Sequence, residues 1–206
     1  MRELRPGDLT ARARYELLTS LVVPRPIGWI GSWGPDGTAN LAPFSYFAAL
    51  SSSPLQVGVS VGHRRDSDGG WVPKDTLRNV REQGAFAVHV VTEPFLEAMN
   101  ATSAELPATE SEFAGAGLEV VPARVIDAPT VAGAPVVLEC RVRQEVPLGE
   151  APNTLVIGEV VHLRVSEELG FAPGTHRVDP EALRPVARLG GADYALLGRV
   201  RTLPRP

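Results

Sequence analysis

The sequence predicts a mainly β chain with added helices, closed as a barrel and not packed as a helical bundle. Three observations predict it. The 20 glycines and 19 prolines among 206 residues are spread between short extended segments, which suits a sheet that turns often. The two longest strand candidates, Val136 to Val146 and Thr154 to Val165, are rich in valine, whose branched side chain packs well on a pleated surface. Adjacent strand candidates are too often joined without a helix for parallel βαβ units.

From the N-terminus, Leu9 to Leu21 reads as a helix, because Leu9, Ala13, Leu17, Leu18 and Leu21 fall near helical spacing. Pro24 and Pro26 stop it. Ile27 to Ser32 reads as a strand, Gly34-Pro35-Asp36-Gly37 as a turn, and Thr38 to Leu41 as the second arm of a hairpin. Leu55 to Val61 alternates as a strand. Asp75 to Glu82 reads as a short helix capped by Asp75, with Leu77 and Val80 inward and Gly84 ending it. Ala85 to Val91 is a strand with Phe86, Val88 and Val90 on one side. Pro94 to Ala101 reads as helical, followed by a polar stretch to Glu112, and the tail from Asp179 to Leu197 reads as short helical pieces around Pro185. There is no internal repeat, and a chain this long buries roughly 70% of its unfolded surface. One domain over residues 1–206 is expected.

Composition excludes several functions. With 24 acidic and 20 basic residues the net charge is -4, and no basic stripe of the kind nucleic acid requires is present. No segment has the length of a membrane span, and the charged stretch Met1 to Asp8 has no apolar signal core, so a cytoplasmic protein is expected. Cys140 is the single cysteine. It lies in an apolar run and reads as inert packing, with Arg141 on the opposite strand face. His63, His89, His162 and His176 show no metal-ligand spacing. His89, alternating with apolar residues, reads as a strand residue facing a cavity or solvent, with a structural role favoured over a catalytic one. No Gly-rich phosphate loop follows a strand, and Ser45 and Ser51 to Ser53 lie outside any nucleophile elbow. No catalytic side chain and no metal ligand are therefore assigned.

Three stretches are harder to explain as packing: Arg25 to Trp29, Asn40 to Phe47 (running on to Ser51-Ser52-Ser53-Pro54), and Lys74 to Asn79. In the second, Pro43 breaks a strand and removes a ladder bond. The freed backbone groups must find partners, in a ligand or in a plain edge-strand bulge. In the third, Lys74 supplies a fixed positive charge and Thr76 a hydroxyl. A helix starting near Asp75 adds free N–H groups at the same spot, which fits a phosphate monoester and equally an ordinary capped surface helix.

These stretches fall in a telling order. They run Pro24-Arg25-Pro26-Ile27-Gly28-Trp29, Asn40-Leu41-Ala42-Pro43-Phe44-Ser45, Pro73-Lys74-Asp75-Thr76-Leu77-Arg78-Asn79 and Met99-Asn100-Ala101-Thr102-Ser103. Leu138-Glu139-Cys140, Ile157-Gly158-Glu159-Val160 and Pro185-Val186-Ala187-Arg188-Leu189-Gly190-Gly191 follow, with Tyr194 close behind. From about Leu21 onward the chain thereby resembles the longer, flavoredoxin-like branch of the flavin reductase-like, FMN-binding split-barrel family. The resemblance implies a six-stranded antiparallel Greek-key split barrel with added helices, and a homodimer with flavin near the subunit interface. It implies that Asn40, Leu41, Ala42, Pro43, Phe44 and Ser45 line the isoalloxazine and ribityl chain, with Ser60 beside the flavin on the next strand. Lys74 and Thr76 would hold the phosphate with Asp75 nearby, Asn100 and Ser103 would lie at the phosphate end, and Arg188 and Tyr194 would close the site from either subunit.

The implied cofactor is FMN, with FAD as the alternative, and the implied electron donor is NAD(P)H. Hydride passes from nicotinamide to flavin, so the cofactor supplies the reactivity and no acid–base pair is needed. The implied activity is that of an NAD(P)H:flavin oxidoreductase that can feed a partner monooxygenase. A flavoredoxin-like electron carrier and a non-enzymatic flavin-binding protein are the alternatives. One departure bears on nicotinamide use more than on flavin binding: where related reductases carry a histidine just before the strand near Thr154, this chain has Asn153.

Overall fold

A computed structural model describes residues 1–149 and 152–204. Among these residues the strands are β1 (Arg25–Pro26), β2 (Gly28–Trp33), β3 (Ala39–Phe44), β4 (Phe47–Ser52), β5 (Leu55–Arg65), β6 (Trp71–Pro73) and β7 (Ala85–Val90). After them come β8 (Val120–Pro122), β9 (Pro129–Val131), β10 (Val136–Leu148), β11 (Asn153–Val165), β12 (Ala187–Arg188) and β13 (Tyr194–Ala195). The helices are α1 (Ala11–Leu21), α2 (Asp75–Gln83), α3 (Leu96–Ala101), α4 (Glu112–Gly115) and α5 (Pro180–Leu183). The principal sheet runs β3-β2-β7-β10-β11-β5-β4, with β6 added on β5, and its pairings are antiparallel. This sheet has eight strands where six were expected. The long β5 carries two short pieces on its outer edge: β4 along Leu55 to Val59 and β6 along His63 to Arg65. No helix of the described residues is long and apolar enough to cross a membrane.

Inside the sheet, between β2 and β10, lies β7, where Phe86, Ala87, Val88 and His89 are all fully buried. Phe86 and Val88 pack with Ile30, Val57, Val59, Val61, Leu77 and Val156 in one core cluster. A second cluster gathers Trp29, Leu41, Met99 and Phe113. Each large apolar side chain so buried stabilises the fold by roughly 2 kcal/mol. Leu77 and Val80 face inward as expected, and Gly84 ends α2 with φ 63°. Cys140 is buried beside an exposed Arg141, and burial, together with the Glu139 charge, pushes its thiol up to about 12.

Several expectations are corrected. Asp75 is not the cap of α2: Lys74, in extended conformation, occupies that position and Asp75 is the first helical residue. Pro43 does not break its strand, because β3 runs through it to Phe44 with Pro43 opposite Trp29. β3 lies at the end of the sheet order, where a missing N–H leaves no ladder bond unmade. His89 faces neither cavity nor solvent. Its Nδ1 lies 2.8 Å from the Trp29 carbonyl and its Nε2 accepts from the Val131 N–H at 3.0 Å, so the proton sits on Nδ1. Burial holds its pKa down at about 4, and the ring is neutral. The tail from Asp179 to Leu197 holds one short helix, α5, followed by the strand pieces β12 and β13, which extend β1. The N-terminal helix starts at Ala11, where Thr10 Oγ1 accepts from the Ala13 N–H. Its apolar residues turn outward: Tyr15, Leu18 and Leu21 are exposed, and only Thr19 is buried.

Candidate functional site

The β3 edge and the N-terminus of α2 are knitted together by a buried polar knot. Asn40 Nδ2 donates to Thr76 Oγ1 at 3.1 Å and to Ser32 Oγ at 3.4 Å, and Asn79 Nδ2 donates to the same Ser32 hydroxyl at 3.3 Å. The Asp75 carboxylate accepts from Arg64 Nη1 at 3.1 Å and from Arg78 Nη1 at 2.6 Å. Two guanidinium groups therefore more than offset its charge. Lys74 is exposed and forms no ion pair among the described residues. The Leu77 and Arg78 N–H groups both bond to the Lys74 carbonyl. The N–H groups of Asp75 and Thr76 precede them and have no acceptor within the helix.

A cleft of about 180 Å³ opens at this point. Asn40, Ala42, Pro43 and Phe44 line one side, Lys74, Asp75 and Thr76 another, and Ser103 and Glu112 also contribute. On the far side α4 holds the strand edge: Ser111 Oγ donates to the Ala39 carbonyl at 2.5 Å, and Glu112 Oε2 accepts from the Leu41 N–H at 3.0 Å. Burial raises the Glu112 pKa, opposed by the Leu41 N–H and its own N–H, with nearby Asp75 pushing the same way as burial. One residue beyond Phe44, Ser45 lines a second and mostly apolar hollow of about 420 Å³, with Leu18, Arg25, Tyr46, Phe47, Leu50 and Leu155.

The structure thus brings together Asn40, Ala42, Pro43, Phe44, Lys74, Asp75, Thr76 and Ser103, and places Ser45 in the adjoining hollow. The rest of the expected set lies elsewhere. Leu41 is buried in the core behind the edge, and its N–H is already bound to Glu112. Ser60 lines neither hollow, and its N–H bonds the Tyr46 carbonyl at 2.8 Å. Asn100, Arg188 and Tyr194 are held by one another: the Tyr194 hydroxyl donates to Asn100 Oδ1 at 2.8 Å, and the Arg188 guanidinium stacks 4.5 Å from the Tyr194 ring centroid. They brace the C-terminal segment instead of lining the cleft. Asn153 begins β11 opposite Gly62 and lines neither hollow.

Sequence reasoning missed Arg64 and Glu112. Arg64 lies three residues beyond Val61, where the stretch read as strand ended, and continuing the alternation would have reached it. Glu112 closes a polar stretch with no periodicity, and only its contact with Leu41, 71 residues away, gives it a place in the site.

The family described as "Flavin reductase like domain" matches residues 20–178. The chain belongs to that family. An uncharacterized protein of Halalkalibacterium halodurans, also similar to it, is 41% identical over 208 residues, covering 99% of this chain and 96% of its own length. Among solved structures, nitrilotriacetate monooxygenase component B from Bacillus cereus superposes with a TM-score of 0.90 at 37% identity, covering 98% of both chains. The 2-nitrobenzoate 2-nitroreductase of Pseudomonas fluorescens superposes with a TM-score of 0.86 at 31% identity, over 98% of this chain and 96% of that one. Membership in the flavin reductase-like family fits a mainly β fold whose structural neighbours are split barrels.

Proposed function

We propose that this chain is a flavin-binding oxidoreductase that holds FMN, or FAD as the alternative, between β3 and α2. The observation that carries this reading is the convergence of Lys74, Thr76, the first turn of α2 and the Asn40–Phe44 edge on one cleft. The residues fit the group. Lys74 is a cation without an ion-pair partner among the described residues, and two helix N–H groups stand beside it, the arrangement that suits a phosphate. A cleft of about 180 Å³ suits a phosphate and its polyol chain, and the apolar hollow that begins at Ser45 offers the surface a fused ring system needs.

FMN, when bound, supplies the hydride and electron chemistry. The protein's part is to hold and orient. Lys74 and the α2 N-terminus offset the phosphate charge. Asn40 and Thr76, locked to each other, keep the strand edge and the helix start at a fixed separation. Glu112 fixes the pitch of that edge through the Leu41 N–H. NAD(P)H is the proposed donor, and a monooxygenase is the proposed recipient of reduced flavin, in line with the similarity to a monooxygenase component B. A flavoredoxin-like electron carrier is the second reading. It is favoured by one observation: among the described residues, no histidine lines either hollow.

We further propose a homodimer. Tyr15, Leu18, Leu21, Val22 and Val23 on and after α1 are exposed together with Tyr46 and Leu50, and Leu18, Val22, Tyr46 and Leu50 border the same hollow. A contiguous apolar patch of this kind marks an interface.

The test is an anaerobic titration with NADH and with NADPH, on the protein as purified and with added FMN. Flavin-dependent oxidation of either nucleotide is the expected result. Bleaching of bound flavin by a reduced protein donor alone selects the carrier, and failure to take up any flavin rejects both readings.

A further inference from the structure

One wall of the cleft is the run from Thr102 to Leu106, which leaves the end of α3. That helix has six residues, too few to hold its own shape in water, so its place depends on ties to the rest of the molecule. Asn100 and Ala101 are exposed, and so are Ser103, Ala104 and Glu105. Thr102, between them, is 2% exposed. It is the point at which this wall is fastened to the core.

The fastening is a chain of directed bonds. Trp29 on β2 is 1% exposed. Its Nε1 donates to Thr102 Oγ1 at 2.8 Å, and the Thr102 hydroxyl donates on to the Met99 carbonyl at 2.7 Å. The indole is held in its orientation by the His89 ring, edge-on with centroids 5.8 Å apart, and by the tilted Phe95 ring at 6.0 Å. A buried indole N–H needs an acceptor, and this one finds it in the cleft wall, although Trp29 itself does not line the cleft. On the other side the Tyr194 hydroxyl donates to Asn100 Oδ1 at 2.8 Å. The tail that carries Tyr194 is anchored in turn by the buried Arg25, whose Nη2 donates to the Leu189 carbonyl at 2.9 Å. One donor from the core and one from the tail thus grip α3.

We propose that Trp29, through Thr102, and Tyr194, through Asn100, are positioning residues for the phosphate end of the cleft. They hold the wall from Ser103 to Leu106 where it encloses a phosphate monoester against Lys74 and Thr76. Trp29 is the stronger of the two, because its bond is buried and that of Tyr194 is exposed. The ligand in this inference rests on the flavin reading above; the fastening of the wall does not.

The test compares FMN and riboflavin affinity of the full chain in Trp29→Phe, Thr102→Val, Thr102→Ser and Tyr194→Phe, and follows hydrogen exchange at the amides of residues 102–104 in the same proteins. The two ligands share ring and polyol and differ in the phosphate. The hollow offered to the ring is not lined by this wall. Trp29→Phe and Thr102→Val are expected to weaken FMN binding about fivefold, as the loss of one neutral hydrogen bond allows, to leave riboflavin binding nearly unchanged, and to speed exchange at those amides. Thr102→Ser, which keeps the acceptor, should stay near wild type, and Tyr194→Phe should fall between. A role in packing alone would lower the urea midpoint without moving the ratio of the two affinities. An unchanged ratio in Trp29→Phe or Thr102→Val, or Thr102→Ser as weak as Thr102→Val, overturns the inference. Should both buried variants fail to fold, Tyr194→Phe decides by the same ratio. Wild-type protein that takes up no flavin loses the proposed function, and exchange then decides the fastening by itself. Protein that takes FMN, with ratio and exchange both unmoved by Thr102→Val, keeps the proposed function and loses the inference.

Discussion

Lys74 and His89 show how far a single side chain can be tested. Lys74→Ala is expected to weaken FMN binding by about tenfold and riboflavin binding far less, because it removes a charged phosphate partner; fluorescence quenching by each flavin measures both. Equal loss for the two ligands would place the phosphate elsewhere. His89 controls a pH window. Its folded pKa of about 4 lies below the ordinary value near 6.5, so the unfolded chain takes up a proton first as pH falls. Stability is expected to drop between pH 6.5 and 4 by about 3 kcal/mol in all from this group and to level off below. His89→Gln should flatten that part of the curve of urea midpoint against pH. The placement of Lys74 and Thr76 at the start of one helix was legible in the sequence because it is local. Arg25 was quoted in a motif, yet its partners include Leu189, 164 residues away, and no pattern in the chain announces such a pairing.

At the scale of elements, close backbone approach makes glycine indispensable at particular positions. A Cβ on Gly31 would collide with the Pro129 carbonyl, a backbone atom of β9 that cannot swing away. Gly31→Ala is therefore expected to destabilise the fold by roughly 1–3 kcal/mol, measured by denaturant unfolding. Gly84, with φ 63° at the end of α2, should lose about 1 kcal/mol on substitution by alanine. The long strands and α2 were readable from alternation and helical spacing. The pieces β1, β12 and β13 have two residues each, too few to show any period, and so the tail around Pro185 passed for helix. β3 was cut short at Leu41 for a different reason: the rule that proline interrupts a strand holds inside a sheet and lapses at its edge.

For the whole molecule, the expected association can be broken without touching the cleft. Leu21 and Tyr15 are 69% and 64% exposed, so Leu21→Glu with Tyr15→Lys should change the stability of one chain by well under about 1 kcal/mol. Sedimentation should shift from dimer to monomer, and a wild-type protein that already sediments as a monomer would refute the interface. Mainly β character was visible in composition and spacing; the order of strands across the sheet was not, because it depends on pairings between distant segments such as β7 with β10. The hydrogen bond from Arg25 to the Leu189 carbonyl gives the molecule one more property. A protease cutting after Ala187 would spare every strand of the principal sheet, yet it would strip a buried cation of one of its anchors. Damage at the tail would thus be felt first at the hollow beside Ser45, well before the barrel itself began to loosen.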